Sequence, residues 1–489
     1  MKLRALMLAS AAGMVATAVT VWATIPAHKA AASPTPASAP IVVAPTPPPD
    51  HSHFQAGKTL LVEGRLGHPI LPANADSETF LFVDVTGTAV VPANPAPLDL
   101  SIVIDRSGSM AGKRLTNALA AARTAIQRLR DGDVVSVISF NTATEVVAKP
   151  TTIDFASRAR LVTQLAAIHA GGDTCISCGI DTAMHLLAER DNMVNRILLL
   201  SDGIPTAGVR DVEGFQRIAE NCRTMSTSVT TIGVDVEYDE KVMSALARSS
   251  NGHHFFVADP TGLPAIFDQE MQSLTRTVAN RAELAIDLAP GVTAEQVFDR
   301  VTTNNGSQVV VPFGAFSAGE HKTLLVRLRV PRGTAGERPV AALRLHYDDL
   351  ADGKPGNCEG LLATRLSSDP AALSPLDGLV SARVSATETA TVLEDANKLF
   401  RAGKADEARA VIAGEQQKIM AHHSAAQAVA PADRMGDLDS AFSRSEKTLA
   451  GAGSGFVAAP AGMRPKPDAD KPGQTQVRQN QADATEATK

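Results

Sequence analysis

Residues 98–110 read LDLSIVIDRSGSM. The run LDLSIVI is apolar apart from Asp99 and Ser101, as expected of a strand buried on both faces rather than one with a wet side. It ends in Asp105-Arg106-Ser107-Gly108-Ser109, an Asp-x-Ser-x-Ser pattern. In a doubly wound sheet the loop after a strand lies at the carboxyl edge, where ligands bind. One carboxylate and two hydroxyls at this spacing offer the oxygen ligands that hard cations take. Gly108 lets the loop turn tightly between the serines. The same residues also suit the start of the helix that follows, since Ser and Asp are common caps.

Outward from this stretch, strands and helices alternate. KRLTNALAAARTAIQRLR carries Leu115, Leu119, Ala122, Ile126 and Leu129 at helical spacing. The strand DVVSVISF follows, then a short run at TEVVAKP and helices near residues 157–168 and 180–190. After them come strand NRILLLS, helix VEGFQRIAENCRTM, strand SVTTIGV, helix EKVMSALARSS, strand HHFFVA and helix GLPAIFDQEMQSLTRTV. This order predicts an α/β fold: a doubly wound, mostly parallel, Rossmann-like sheet over residues 97–279. Two further loops reach the same rim as Asp105. Thr174 sits in the glycine-rich GGDTCISCG (171–179), and NRILLLS runs straight into Asp202-Gly203. The expected constellation is Asp105, Ser107, Ser109, Thr174 and Asp202.

The flanks differ in pattern. KTLLVEGRL and ETFLFVDVTG in residues 58–96 read as strands, and two strands alone cannot stand as a domain. Residues 280–370 lose the helical period; ELAIDL, QVVVPF, KTLLVRLRV and VAALRLHYDD are separated by turn residues. The expectation is one β-sandwich module drawn from both flanks, with the α/β domain inserted in it. Residues 371–450 are Ala-rich and helical, with two helices joined at Ala402-Gly403. Residues 451–489 are polar and poor in aromatics, and read as a disordered tail.

The chain of 489 residues suits two to four domains. Its hydrophobic fraction of 44% supports a large core, and an aromatic fraction of 4% means a core built mainly from Ala, Val, Leu and Ile. A net charge of −6 without a basic stripe argues against nucleic acid as a partner. Lys2 and Arg4 precede the apolar run Ala5–Ala23, so residues 1–27 read as a cleaved signal peptide or a retained signal anchor. Residues 28–57 begin Pro/Ala-rich and read as a stiff linker. The rest of the chain is expected outside the cytoplasm, in the periplasm, at the cell surface or secreted. Contact with membrane is expected only through an uncleaved anchor.

With DRSGSM, GGDT and LLLSDG in this order, followed by GHHFFVAD, residues 97–279 resemble a von Willebrand factor type A domain with a metal-ion-dependent adhesion site. The resemblance implies that Ser107, Ser109 and Thr174 are inner ligands of a divalent cation, Mg²⁺ with Ca²⁺ or Mn²⁺ as alternatives. Asp105 and Asp202 would act directly or through water. It also implies an open position for an Asp or Glu side chain of a partner protein. Asp173, in a variable slot of that loop, is expected to face solvent. The β-rich flanks resemble, more loosely, exported bacterial proteins and inter-α-trypsin-inhibitor heavy chains that embed this domain.

Four cysteines remain: Cys175, Cys178, Cys222 and Cys358. A Cys₄ zinc site would use them all, but only one Cys-x-x-Cys exists. A redox pair needs an activated thiolate at a helix start. The third reading is a structural disulfide, Cys175 with Cys178 beside the metal loop, Cys222 with Cys358 then stapling the α/β domain to the β module. A free, buried pair is the fourth. No His-Glu-x-x-His or Gly-x-Ser-x-Gly occurs, and Gly108–Arg114 fails the spacing of a phosphate loop. His253-His254 lie in an apolar strand and read as structural. The expectation is a non-catalytic adhesion or assembly module; the alternative is a structural or regulatory subunit whose metal only stabilises the domain.

Overall fold

The computed structural model of the chain describes residues 51–89, 95–187, 193–235, 237–430, 434–456 and 471–487. The segment read as signal or anchor, and most of the expected linker, lie outside the described residues. Strands β1 (His53–Gly57), β2 (Leu60–Leu66), β3 (Ile70–Pro72) and β4 (Ser77–Gly87) come first. The linker reading therefore ends early, because residues 53–57 pair antiparallel with β2.

The α/β elements follow. They are β5 (Leu98–Asp105), α1 (Lys113–Arg128), β6 (Val134–Phe140), β7 (Thr144–Thr152), α2 (Phe155–Leu165), α3 (Ile176–Leu186), β8 (Val194–Ser201), α4 (Val212–Thr224), β9 (Thr227–Val234), α5 (Glu240–Ser249), β10 (His254–Val257) and α6 (Leu263–Leu274). The sheet order is β10-β9-β8-β5-β6-β7, parallel except for the antiparallel edge strand β7. The apolar run in β5 is explained by its two buried faces. Leu98, Leu100, Ile102 and Ile104 pack with α1 and α6, while Val103 packs with α3, α4 and α5 on the other side. From β5 the chain winds to β6 on one side, and from β8 to β9 on the other. The crevice between the carboxyl ends of β5 and β8 is thus the topological switch point.

The chain continues with β11 (Thr277–Leu288), β12 (Thr293–Phe298), β13 (Thr303–Asn304), β14 (Gln308–Ser317), β15 (His321–Val330), β16 (Gly336–Asp349) and β17 (Lys354–Ser367). These join the early strands in two sheets, β1-β2-β4-β15-β12 and β13-β14-β11-β16-β17-β3. One core serves both: Leu60, Val83 and Val326 from the first sheet meet Ile286, Val311 and Leu343 from the second. Alternating inward positions produce it: in β2, Leu60, Val62, Gly64 and Leu66 are buried while Leu61, Glu63 and Arg65 between them are partly exposed.

Helices α7 (Gly378–Arg401), α8 (Ala405–Val429), α9 (Met435–Ala452) and α10 (Lys471–Ala487) end the described chain. The turn after α7 falls at Ala402-Gly403, Gly403 taking a φ of 78° that favours glycine. The expectation of a disordered tail fails over α10. Val477 and Ala484 join the core of α7, α8 and α9. Asn480, fully buried, donates to Asn397 Oδ1 at 3.1 Å and to the Ala452 carbonyl at 3.2 Å, and accepts from Gln476 at 2.8 Å. Polar composition concealed this packing because much of what α10 buries is amide. Among the described residues no helix is long and apolar enough to cross a membrane.

The cysteines divide. Cys175 and Cys178 form a disulfide across a Cα separation of 5.3 Å. Cys222 and Cys358 are free, which overturns the expected staple. The reason is placement: Cys222 packs among Phe215 and Val229 in the α/β core, while Cys358 packs against the core of the two β sheets. Burial pushes their thiols up to about 12 and about 11. Two predictions follow from these contacts. Iodoacetamide should label two thiols in the denatured, unreduced protein and four after reduction; a linked Cys222–Cys358 peptide in mass spectrometry would contradict the assignment. Asn480→Leu should cost about 1–3 kcal/mol by stranding Asn397 and Gln476, read as a lower denaturation midpoint and earlier trypsin release of residues 471–487.

Candidate metal centre

Asp105 is the last residue of β5, and Asp202 directly follows β8. Both carboxylates are fully buried, Ser107 and Thr174 nearly so, and Ser109 is exposed. The Ser107 amide donates to Asp105 Oδ1 at 2.8 Å. The Ser107 and Ser109 hydroxyls lie 3.0 Å apart, and Ser109 Oγ donates to Asp202 Oδ1 at 2.7 Å. Four of the five expected residues are therefore joined in one hydrogen-bonded chain across the switch point.

Thr174 arrives from a third loop, which is laced to the first by Gly108 N to Gly172 O at 3.0 Å and Gly171 N to Arg106 O at 2.7 Å. Gly172 has a φ of 86°, and a Cβ there would stand 2.8 Å from Asn141 Nδ2, so the loop requires glycine twice over. Thr206 fixes the threonine backbone: its Oγ1 accepts from Thr174 N, and its amide donates to Thr174 O, both at 2.9 Å. The Thr174 side chain presses on Gly203, where an added Cβ would lie 3.0 Å from Thr174 Oγ1. That contact sets the threonine hydroxyl beside the Asp202 loop. Asp173 is exposed, its amide donating to Thr142 Oγ1 at 3.0 Å. The disulfide closes the first turn of α3 immediately after Thr174.

Sequence reading missed the groups that hold the carboxylates. Ser201 Oγ donates to Asp105 Oδ2 at 2.5 Å. Arg114, in the first turn of α1, donates to Asp202 Oδ2 at 2.8 Å and to the Ser109 carbonyl at 3.0 Å. It also reaches Asp235 at 2.7 Å and Glu237 at 2.9 Å. Its position just after the DRSGSM loop was the available signal; the two distant acids carried none. Burial pushes the Asp105 carboxyl up to about 6, against the hydrogen bonds from Ser201 and Ser107. Burial also raises Asp202, against Ser109 and Arg114. Arg114 is held more firmly protonated: hydrogen bonds to Asp235 and the Asp202 charge outweigh its burial.

The donor set is chemically uniform: two carboxylates and three hydroxyls, all hard oxygen. It suits a divalent cation that keeps part of its water, not a soft metal wanting thiolate or imidazole. Among the described residues no cluster of His, Cys, Asp and Glu forms a separate metal cage, and the disulfide removes Cys175 and Cys178 from any zinc set.

The family model of the von Willebrand factor type A domain matches residues 99–269. An uncharacterized protein of Synechocystis sp. is 26% identical over 289 residues, 57% of this chain and 66% of that one. Human inter-alpha-trypsin inhibitor heavy chain H2 is 32% identical over 174 residues, 33% of this chain and 18% of its own length. The chain thus spans less than two thirds of each relative. Among solved structures, a von Willebrand factor type A protein from Catenulispora acidiphila superposes with a TM-score of 0.66 at 20% identity, covering 79% of this chain and 91% of that one. The family match begins in β5 and ends in α6, so it takes in every loop of the switch-point rim. The chain therefore carries a von Willebrand factor type A domain over residues 99–269, a domain that generally serves as a protein-interaction module.

Proposed function

We propose that this protein is an exported binding module that grips a partner protein through a divalent cation at the carboxyl rim of its parallel sheet. The observation that carries this reading is the continuous run of oxygen ligands from Asp105 through Ser107 and Ser109 to Asp202. Ser107, Ser109 and Thr174 would hold the ion, with Asp105 and Asp202 fixing them or its waters. Mg²⁺ suits such a set, and Ca²⁺ and Mn²⁺ accept the same donors. When bound, the ion would supply an electrophilic position for an Asp or Glu of the partner. With only two carboxylates, the chain leaves a divalent charge uncancelled. Exposed Ser109 would be where an incoming carboxylate approaches, and the exposure of Asp173 supports a side chain outside the ligand set. Lys2, Arg4 and the apolar run after them support export, and the Cys175–Cys178 disulfide agrees with an oxidising compartment.

A second reading has its own observation. Arg114 already stands against Asp202, bridging it to Asp235 and Glu237. On that reading the protein is a structural or regulatory subunit of an envelope complex, and metal only stabilises the domain.

Affinity capture from envelope extract, with Mg²⁺ or after chelation, separates the two. Partner retention should be lost with chelator and in Asp105→Ala; retention unchanged in both would sink the adhesion reading. In the same preparations, Mg²⁺ at a hundred times its Kd should stabilise the wild type by about 2.7 kcal/mol and leave Asp105→Ala unmoved. If melting responds to metal while capture does not, the second reading stands. For Arg114→Met, loss of a competing cation should tighten metal binding about tenfold, ~1.4 kcal/mol. The metal-free variant should lose about 3 kcal/mol because Asp202 is left buried without its partner. Calorimetric titration and urea unfolding read the two effects.

A further inference from the structure

A cavity of about 410 Å³ opens where α4 and α5, the β12–β13 connection, α7 and α10 meet. It shares no residue with the candidate metal centre. Its wall carries the cations Lys241, Arg248, Arg300, Lys398 and Arg401, against the carboxylates of Asp299 and Glu394. Those two acids are already engaged. Asp299 accepts from Arg383 at 3.1 Å and from Thr387 at 3.0 Å, and Glu394 lies 3.9 Å from Arg248. Arg401 is paired with Glu240, and Lys398 with Asp395 at 2.7 Å. Arg300 donates Nε to the Thr323 carbonyl at 2.6 Å and lies over the Phe313 ring at 4.6 Å. Burial and the nearby Arg383 charge push Arg300 down to about 9, so the interior of this wall repels its own charge.

Ser249 and Gln481, 5% and 6% exposed, add a hydroxyl and an amide to the same wall. A cavity walled by guanidinium and ammonium groups, with a hydroxyl and an amide beside them, is complementary to an oxyanion, which takes charge from the cations and hydrogen bonds at its remaining oxygens.

We propose that this cavity binds the phosphate group of a small phosphorylated molecule. Its volume falls in the range of ligand pockets and exceeds what one phosphate fills, which leaves room for an organic body. The cations come from α5, the β12–β13 connection and α7, so the anion ties the α/β elements to the β and helical elements around them. The site is independent of the proposed metal chemistry.

The test uses full-length protein stripped of metal, moved into chelator-free buffer, and titrated calorimetrically at an ionic strength held constant with chloride. The probes are inorganic phosphate and glucose 6-phosphate. Saturable binding at one site is expected, weakened about tenfold in Lys241→Gln and in Lys398→Gln. Both residues are exposed, so these variants keep the wild-type melting temperature in chloride. Lys149→Gln, on the distant edge strand β7, should bind as wild type. Tighter binding of glucose 6-phosphate than of phosphate identifies an organic phosphate as the occupant; the reverse order identifies the free ion. Absence of saturable binding by either probe, or equal binding by Lys241→Gln, Lys398→Gln and wild type, overturns the proposal.

Discussion

Two carboxylates buried at the ends of adjacent apolar strands are the constraint on which this rim depends. A lone buried carboxylate costs several kcal/mol, and a hydrogen bond to a charged group returns about 1.5–3 kcal/mol. Asp105 receives the Ser107 amide and the Ser201 hydroxyl; Asp202 receives Ser109 and Arg114. At both positions burial still outweighs the hydrogen bonds in setting the acidity. The serines are therefore committed in two directions, inward to the carboxylates and outward to the rim. This is why so much of the rim's geometry is set by hydrogen bonds rather than by apolar packing.

Much of this was legible in sequence, for a physical reason. The α/β elements advertise themselves because strands buried on both faces must be apolar along their length, and helices covering them must repeat at 3.6 residues. LDLSIVI and NRILLLS follow the first rule over most of their length, with Asp99, Ser101 and the ends of NRILLLS as exceptions, and α1 follows the second. Once those strands are parallel neighbours, the residues directly after them must share an edge. Asp105, Ser107, Ser109 and Asp202 could be grouped without knowing any distance. Thr174 needed the additional inference that its glycine-rich loop folds back over that edge.

What escaped was decided by contacts with no local signature. Arg114 meets Asp235 and Glu237 more than a hundred positions away, and nothing near residue 235 marks it as a partner. The fate of Cys222 and Cys358 turned on which core each side chain faces, which spacing cannot reveal. Helix α10 looked like solvated tail because its buried face includes Gln476, Asn480 and Gln481, residues whose burial is tolerable only beside matching partners. Composition counts amides as polar wherever they end up.

The same helix brings the C-terminal elements close to the rim. Arg478 on α10 pairs with Glu240 at 2.6 Å and lies 5.4 Å from the Tyr238 ring centroid. Lys471, at the start of α10, is 3.5 Å from Asp235, the acid that Arg114 also holds. These contacts are unequal. Lys471 is more than half exposed, and such a pair contributes at most about 1 kcal/mol. Arg478 and Glu240 are both largely buried, and breaking that pair would strand a charge. Of the two ion pairs, Arg478 with Glu240 is the stronger tie of α10 to the α/β elements, while Lys471 adds a geometric link. Asp235 itself sits at a φ of 61°, a conformation a non-glycine residue keeps only when its surroundings enforce it. Its backbone is held by its amide donating to the Val257 carbonyl at 2.9 Å, and its carboxylate meets Arg114 from the rim and Lys471 from α10. The carboxylate at the switch point and the last described helix of the chain thus stand only two shared ion-pair partners apart, Arg114 and Asp235.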